Sequence, residues 1–139
     1  MTRQYMAQMN AAMGQEVFSE EAQRAFRKGS GGGAAGIIQA VSQYTGQLLT
    51  NENLTPDQVK EGTVIGLNRG AHAKGRFKDI GHVVQTYRDP TTGEMMVSES
   101  RGGKGVMTSR YADWYAEQQR RGTKLYGAEI TAMADASKV

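Results

Sequence analysis

Cysteine is absent from this chain of 139 residues. That excludes a disulfide framework, a thiolate metal site and, as the chain stands, any thiol nucleophile. Histidine is nearly absent too. His72 and His82 are the only two, and a pair of imidazoles is not a zinc site by itself, so neither metal nor cofactor is expected. No apolar run approaches the ~18 residues of a membrane span. The opening MTRQYMAQMNAAMGQE is polar and rich in Met and Ala, without the continuous apolar stretch of a secretory signal. The expectation is a soluble chain made in the cytoplasm and carried elsewhere, if at all, by other machinery. Charge of one sign is lacking as well: 17 basic residues face 14 acidic ones, a net of +3. Much of the excess falls in Arg69, Lys74, Arg76 and Lys78, in a Gly-containing stretch that reads as a solvated loop. Nucleic-acid binding through that loop is disfavoured by so modest a net charge.

What is present fits one domain, 1–139, with one core. Residues 3–28 read as N-terminal helices, with Ser19 and the acids after it as a helix start and Phe18, Ala22, Ala25 and Phe26 as an apolar stripe. The GSGGG break at 29–33 leads into a second helix over 34–46, where Ala34, Ile37, Ile38, Val41, Tyr44 and Thr45 share a face and Gly46 ends it. Thr55-Pro56 opens a short helix ending before Gly62. Strands are expected at 63–68 and 82–89, with a DPTTG turn at 89–93 and a return strand at 94–100. A helix follows at about 109–121, then a last strand at 124–128 and a tail with little to pack. Helices first and antiparallel strands after them signal an α+β fold with three or four strands.

The chemistry-bearing residues cluster around His82. It opens a strand after Gly81, and the hairpin brings Glu99 on the returning strand within reach across the ladder. A carboxylate beside an imidazole fixes its tautomer and supports its charged form. The helix start at 34–36 offers free backbone N–H groups and partial positive charge, which favour a thiolate or an oxyanion. A thiol hydrolase needs this set of parts, yet Gly33-Ala34-Ala35-Gly36 places alanine where the nucleophile would stand. Taken alone, two alanines at a helix start are ordinary. Trp114, Tyr111 and Tyr115 read as core or groove wall.

Three elements, Gly33-Ala34-Ala35-Gly36-Ile37-Ile38-Gln39, Gly81-His82-Val83, and Val97-Ser98-Glu99-Ser100 followed by Gly105-Val106, together resemble the NlpC-type papain-like amidases of the bacterial cell wall. The resemblance covers about residues 30–127, leaving 1–29 as N-terminal helices and 128–139 as a tail. Within that family the pattern resembles amidase effectors of the type VI secretion system and cell-wall hydrolase domains of phage tails. It implies a papain-like fold with N-terminal helices on a small antiparallel sheet. It further implies a peptidoglycan stem-peptide amidase or endopeptidase, with Ala34 at the position of the nucleophilic cysteine, His82 as general base and Glu99 orienting it. Ser98 is the substitute for Glu99 if the strand register shifts by one, and Ala35 contributes a backbone N–H near the oxyanion. Gly33 departs from the Asp or Asn usual at that place. The implied partners are the stem peptide and, for a delivered toxin, an immunity protein or the delivery apparatus. The site of action would be the periplasm or cell wall of a target bacterium, reached by a secretion system or phage particle. Two origins of Ala34 stay open: a Cys→Ala change that silences an enzyme, or a natural pseudoenzyme that binds wall peptide or a protein partner without cutting.

Overall fold

The computed structural model describes residues 33–68, 77–100 and 105–130. The expected helices over 3–28, most of the basic stretch at 69–78 and the far tail lie outside the described residues.

The framework is a six-stranded antiparallel sheet with a helix on each face. Helix α1 (Gly33–Thr45) is followed by β1 (Leu49–Thr50), β2 (Thr63–Asn68), β3 (His82–Arg88), β4 (Met95–Ser100), β5 (Val106–Arg110), α2 (Tyr111–Arg121) and β6 (Lys124–Glu129). The strand order is β1-β6-β2-β3-β4-β5. Mixed helix and antiparallel sheet agree with the α+β expectation, but the sheet has six strands instead of three or four. The two unforeseen strands are short: β1 spans two residues, and β5 carries no buried residue to mark an alternating pattern.

The two faces follow from strand alternation, which sends successive side chains to opposite sides. On one face Ala35, Ile38 and Val41 of α1 pack with Val64, Ala128, Ile80 and Ile130, with Val83 and Phe77 alongside. On the other, Tyr111 and Trp114 of α2 pack with Leu54, Ile65, Leu67, Val84, Val97 and Leu125. The helical spacing of the α1 stripe is therefore genuine, and it covers β6, β2 and the start of β3. Glycine allows α1 that close approach. A β-carbon at Gly66 would stand 2.8 Å from two side-chain atoms of Ile80 and 3.0 Å from Ile38, distances that packed carbon atoms do not tolerate.

Three expectations are corrected. The segment after Thr55-Pro56 makes a single turn, not a helix: the N–H groups of Gln58 and Val59 both donate to Thr55 O, each at 2.9 Å. One turn fixes several dihedrals for little hydrogen bonding, and this one ends as Val59 is drawn into the core. The tail read as having little to pack begins later than expected. Ala128 and Glu129 complete β6, and Ile130 is fully buried, its N–H donating to Gly62 O at 2.9 Å. The predicted helix start at 109 also moves to Tyr111, because Ser109 and Arg110 pair with Val97 and Met96 in the sheet.

The α2 face is tied by buried and half-buried polar contacts. Tyr111 OH donates to Leu54 O at 2.6 Å and Tyr115 OH to Asn51 O at 2.8 Å. Asn51 in turn donates through Nδ2 to Thr123 O at 3.0 Å and accepts from the Leu125 N–H at 2.8 Å. These bonds fasten the 51–54 crossover to both α2 and β6.

Candidate functional site

His82 and Glu99 meet. His82 Nε2 lies 2.8 Å from Glu99 Oε2, with side-chain exposures of 25% and 9%. The hairpin register explains how. Val84 is the residue directly opposite Glu99, so His82, two positions earlier on the same face, reaches Glu99 along the diagonal of the ladder. Leu67 stands across from His82 on its other side, and Met107 stands across from Glu99. The pair is thus framed by a fully buried leucine and a methionine that is 46% exposed. Among the described residues the imidazole Nδ1 has no partner. With Nε2 engaged by the carboxylate, Nδ1 is the nitrogen free to take or give a proton at a ligand.

The register also separates two residues that the sequence left as alternatives. Ser98 pairs with Gln85 and Thr108, one step from Glu99 and hence on the opposite face. Glu99, not Ser98, faces His82. On that opposite face Gln85 is buried, and among the described residues its Oε1 has no hydrogen-bond partner.

Ala34 lies in the first turn of α1, and Ala35 is buried at 3% exposure in the core beneath that helix. That core is on the face of Val64 and Val83, whereas His82 and Glu99 share the face of Leu67, Val84 and α2. The structure therefore brings His82 and Glu99 together and sets α1 on the other side of the sheet. Met107 was missed by sequence reasoning. The run Val106–Arg110 is short and mostly polar, and only the register shows that it flanks Glu99.

No group of three or more His, Cys, Asp or Glu side chains among the described residues could hold a metal ion, and among the described residues no helix is long and apolar enough to cross a membrane. No family model, curated protein or solved structure matches the chain.

Proposed function

We propose that this chain carries a scaffold of the papain-like cell-wall amidase type, recognising peptidoglycan stem peptides, with His82 as its acid–base group and Glu99 as the residue that orients it. The observation that supports this reading is the 2.8 Å contact between His82 Nε2 and Glu99 Oε2, which holds the imidazole in one orientation with Nδ1 left for substrate. With alanine at position 34 the chain binds and does not cut. With a thiol there, the resemblance implies that the thiolate would attack the stem-peptide carbonyl, N–H groups at the start of α1 would hold the oxyanion, and His82 would protonate the leaving amine. Because α1 packs on the sheet face opposite the His82–Glu99 pair, that step requires the start of α1 and the imidazole to meet around the end of the sheet.

A second reading, that the domain is a binder of wall peptide or of a protein partner by design, is favoured by a specific observation. The His82–Glu99 pair and the core beneath α1 occupy opposite faces of the sheet. One experiment separates the two. Ala34→Cys is installed and purified sacculi are digested, with the double variant Ala34→Cys/His82→Ala as control. New free amines from the single variant alone support the amidase scaffold. No amine release, together with sacculus binding by the unaltered chain that His82→Ala abolishes, supports the binder. Neither release nor binding sinks both.

A further inference from the structure

We propose that β5 is a self-association edge, and that a second copy of this chain adds its own β5 antiparallel to it, joining two sheets into one. The inference does not depend on the functional reading above.

Among the described residues the strand is the last in the sheet order, and all five of its residues are exposed. An open edge offers unpaired N–H and C=O groups to any extended chain, and folded proteins commonly blunt such edges with proline, lysine, bulges or extreme shortness. Strand β1, at the opposite edge, is protected by being two residues long. Among the described residues β5 has no proline, lysine or bulge and a single charge, Arg110, at its end: Val106-Met107-Thr108-Ser109-Arg110 pairs with β4 over five consecutive positions. It also carries Val106 and Met107, 59% and 46% exposed, the two large hydrophobic side chains that stand out to solvent among the described residues. They point to opposite faces, so no single helix laid on the sheet covers both, whereas a strand added at the edge does.

The strand is complementary to itself. A two-fold axis at Thr108 places threonine against threonine, Met107 against Ser109 of the second copy, and Val106 against Arg110 of the second copy. Threonine pairs are favourable across antiparallel strands, and the arginine stem provides an apolar surface for Val106. The one charge on the strand never meets its twin. It is also balanced within its own copy, since Arg110 lies 3.0 Å from Asp113 and 3.9 Å from Glu94. An isologous contact of this kind closes as a dimer and does not propagate. Its seam is small, so the dimer should dissociate on dilution.

The absence of cysteine makes a clean test. Thr108→Cys puts a thiol on the axis, within disulfide reach of its counterpart. Met107→Cys is the control, because its counterpart lies diagonally at about 7–8 Å, beyond that reach. Under mild oxidation, Thr108→Cys should form a covalent dimer at least tenfold faster than Met107→Cys. Sedimentation of the unaltered chain between about 1 μM and 1 mM, the range of weak contacts, should show a reversible dimer that Thr108→Lys abolishes. The proposal is overturned by a monomer throughout that range, by a dimer that survives Thr108→Lys, or by equal cross-linking at 107 and 108, which would mean parallel pairing.

Discussion

His82 reaches Glu99 along a diagonal: the position across the ladder from Glu99 belongs to Val84, and the imidazole spans two residues of strand to bring Nε2 within 2.8 Å of the carboxylate. Because both groups are largely withdrawn from water, the contact sets the proton's place on the neutral ring. The neutral imidazole is expected to carry its proton on Nε2, facing the carboxylate, with Nδ1 as acceptor. Long-range nitrogen–proton NMR correlations read the tautomer directly. Glu99→Leu should give a mixture of tautomers, and an unaltered spectrum in that variant would mean that the contact does not orient the ring.

Gly66 is expected to resist even a methyl group. The added carbon would fall 2.8 Å from Ile80 and 3.0 Å from Ile38, both fully buried, so relief requires moving α1 or the segment before β3. Gly66→Ala should cost about 1–3 kcal/mol, measured as a lower denaturation midpoint in urea with the slope unchanged. A change smaller than the error of that measurement would mean that α1 rides more loosely on the sheet than the packing indicates.

Much of this architecture was legible because it rests on local patterns. The stripe of Ile38 and Val41, the β-branched run of β2 and the DPTTG hairpin each announce their element without reference to the rest of the chain. The hairpin also put Glu99 near His82, since a turn at 90–93 leaves little freedom of register. What escaped depends on long-range partners. Leu49 and Thr50 are a strand only because Gly127 and Tyr126 lie beside them, and Val106–Arg110 is a strand only because β4 offers an edge. The face on which His82 lies was not legible either, because alternation sets faces relative to neighbours and a one-residue slip reverses them. Ser98 stood as the substitute for Glu99 in the sequence for that reason.

Tyr111 ties alkaline stability to the α2 face. Burial, and after it the neighbouring Tyr115, push its phenol well above the ordinary value of 10.0. The folded state disfavours the phenolate, so this contribution is complete below pH 10.0 and is lost as pH rises through the folded pKa. Tyr111→Phe removes the ionisable group and also the hydrogen bond to Leu54 O. It should lower stability at neutral pH by about 1–3 kcal/mol and flatten the alkaline decline. Chemical denaturation at a series of pH values up to the alkaline range tests both effects, and a decline as steep as in the unaltered chain would assign it to another group.

At the end of α2, hydrogen bonds from Arg120 and then Arg121 pull the Glu117 carboxyl from 4.5 down to about 2. A depressed carboxylate contributes above its unfolded value and loses that contribution as pH falls from 4.5 toward about 2. The group is on the surface, so salt should weaken the effect. A carboxyl carbon NMR titration should place Glu117 lowest among the glutamates, and Arg120→Ala should raise it. A midpoint near 4.5 in the unaltered chain would show the arginines to be solvated and not engaged.

Strand β3 serves two compartments on opposite faces of the sheet. His82 belongs to the paired site, and Val83, the next residue, belongs to the packing under α1. A single peptide unit is the whole distance between them along the chain. The sheet acts as a partition, and β3 is the part of it that carries the paired site on one side and the packing under α1 on the other. A ligand that shifts the imidazole together with the backbone at 82–83 is therefore expected to change the methyl NMR signals of Val83 and Ile38, on a surface it never touches; unchanged signals would mean that the ring moves without the strand.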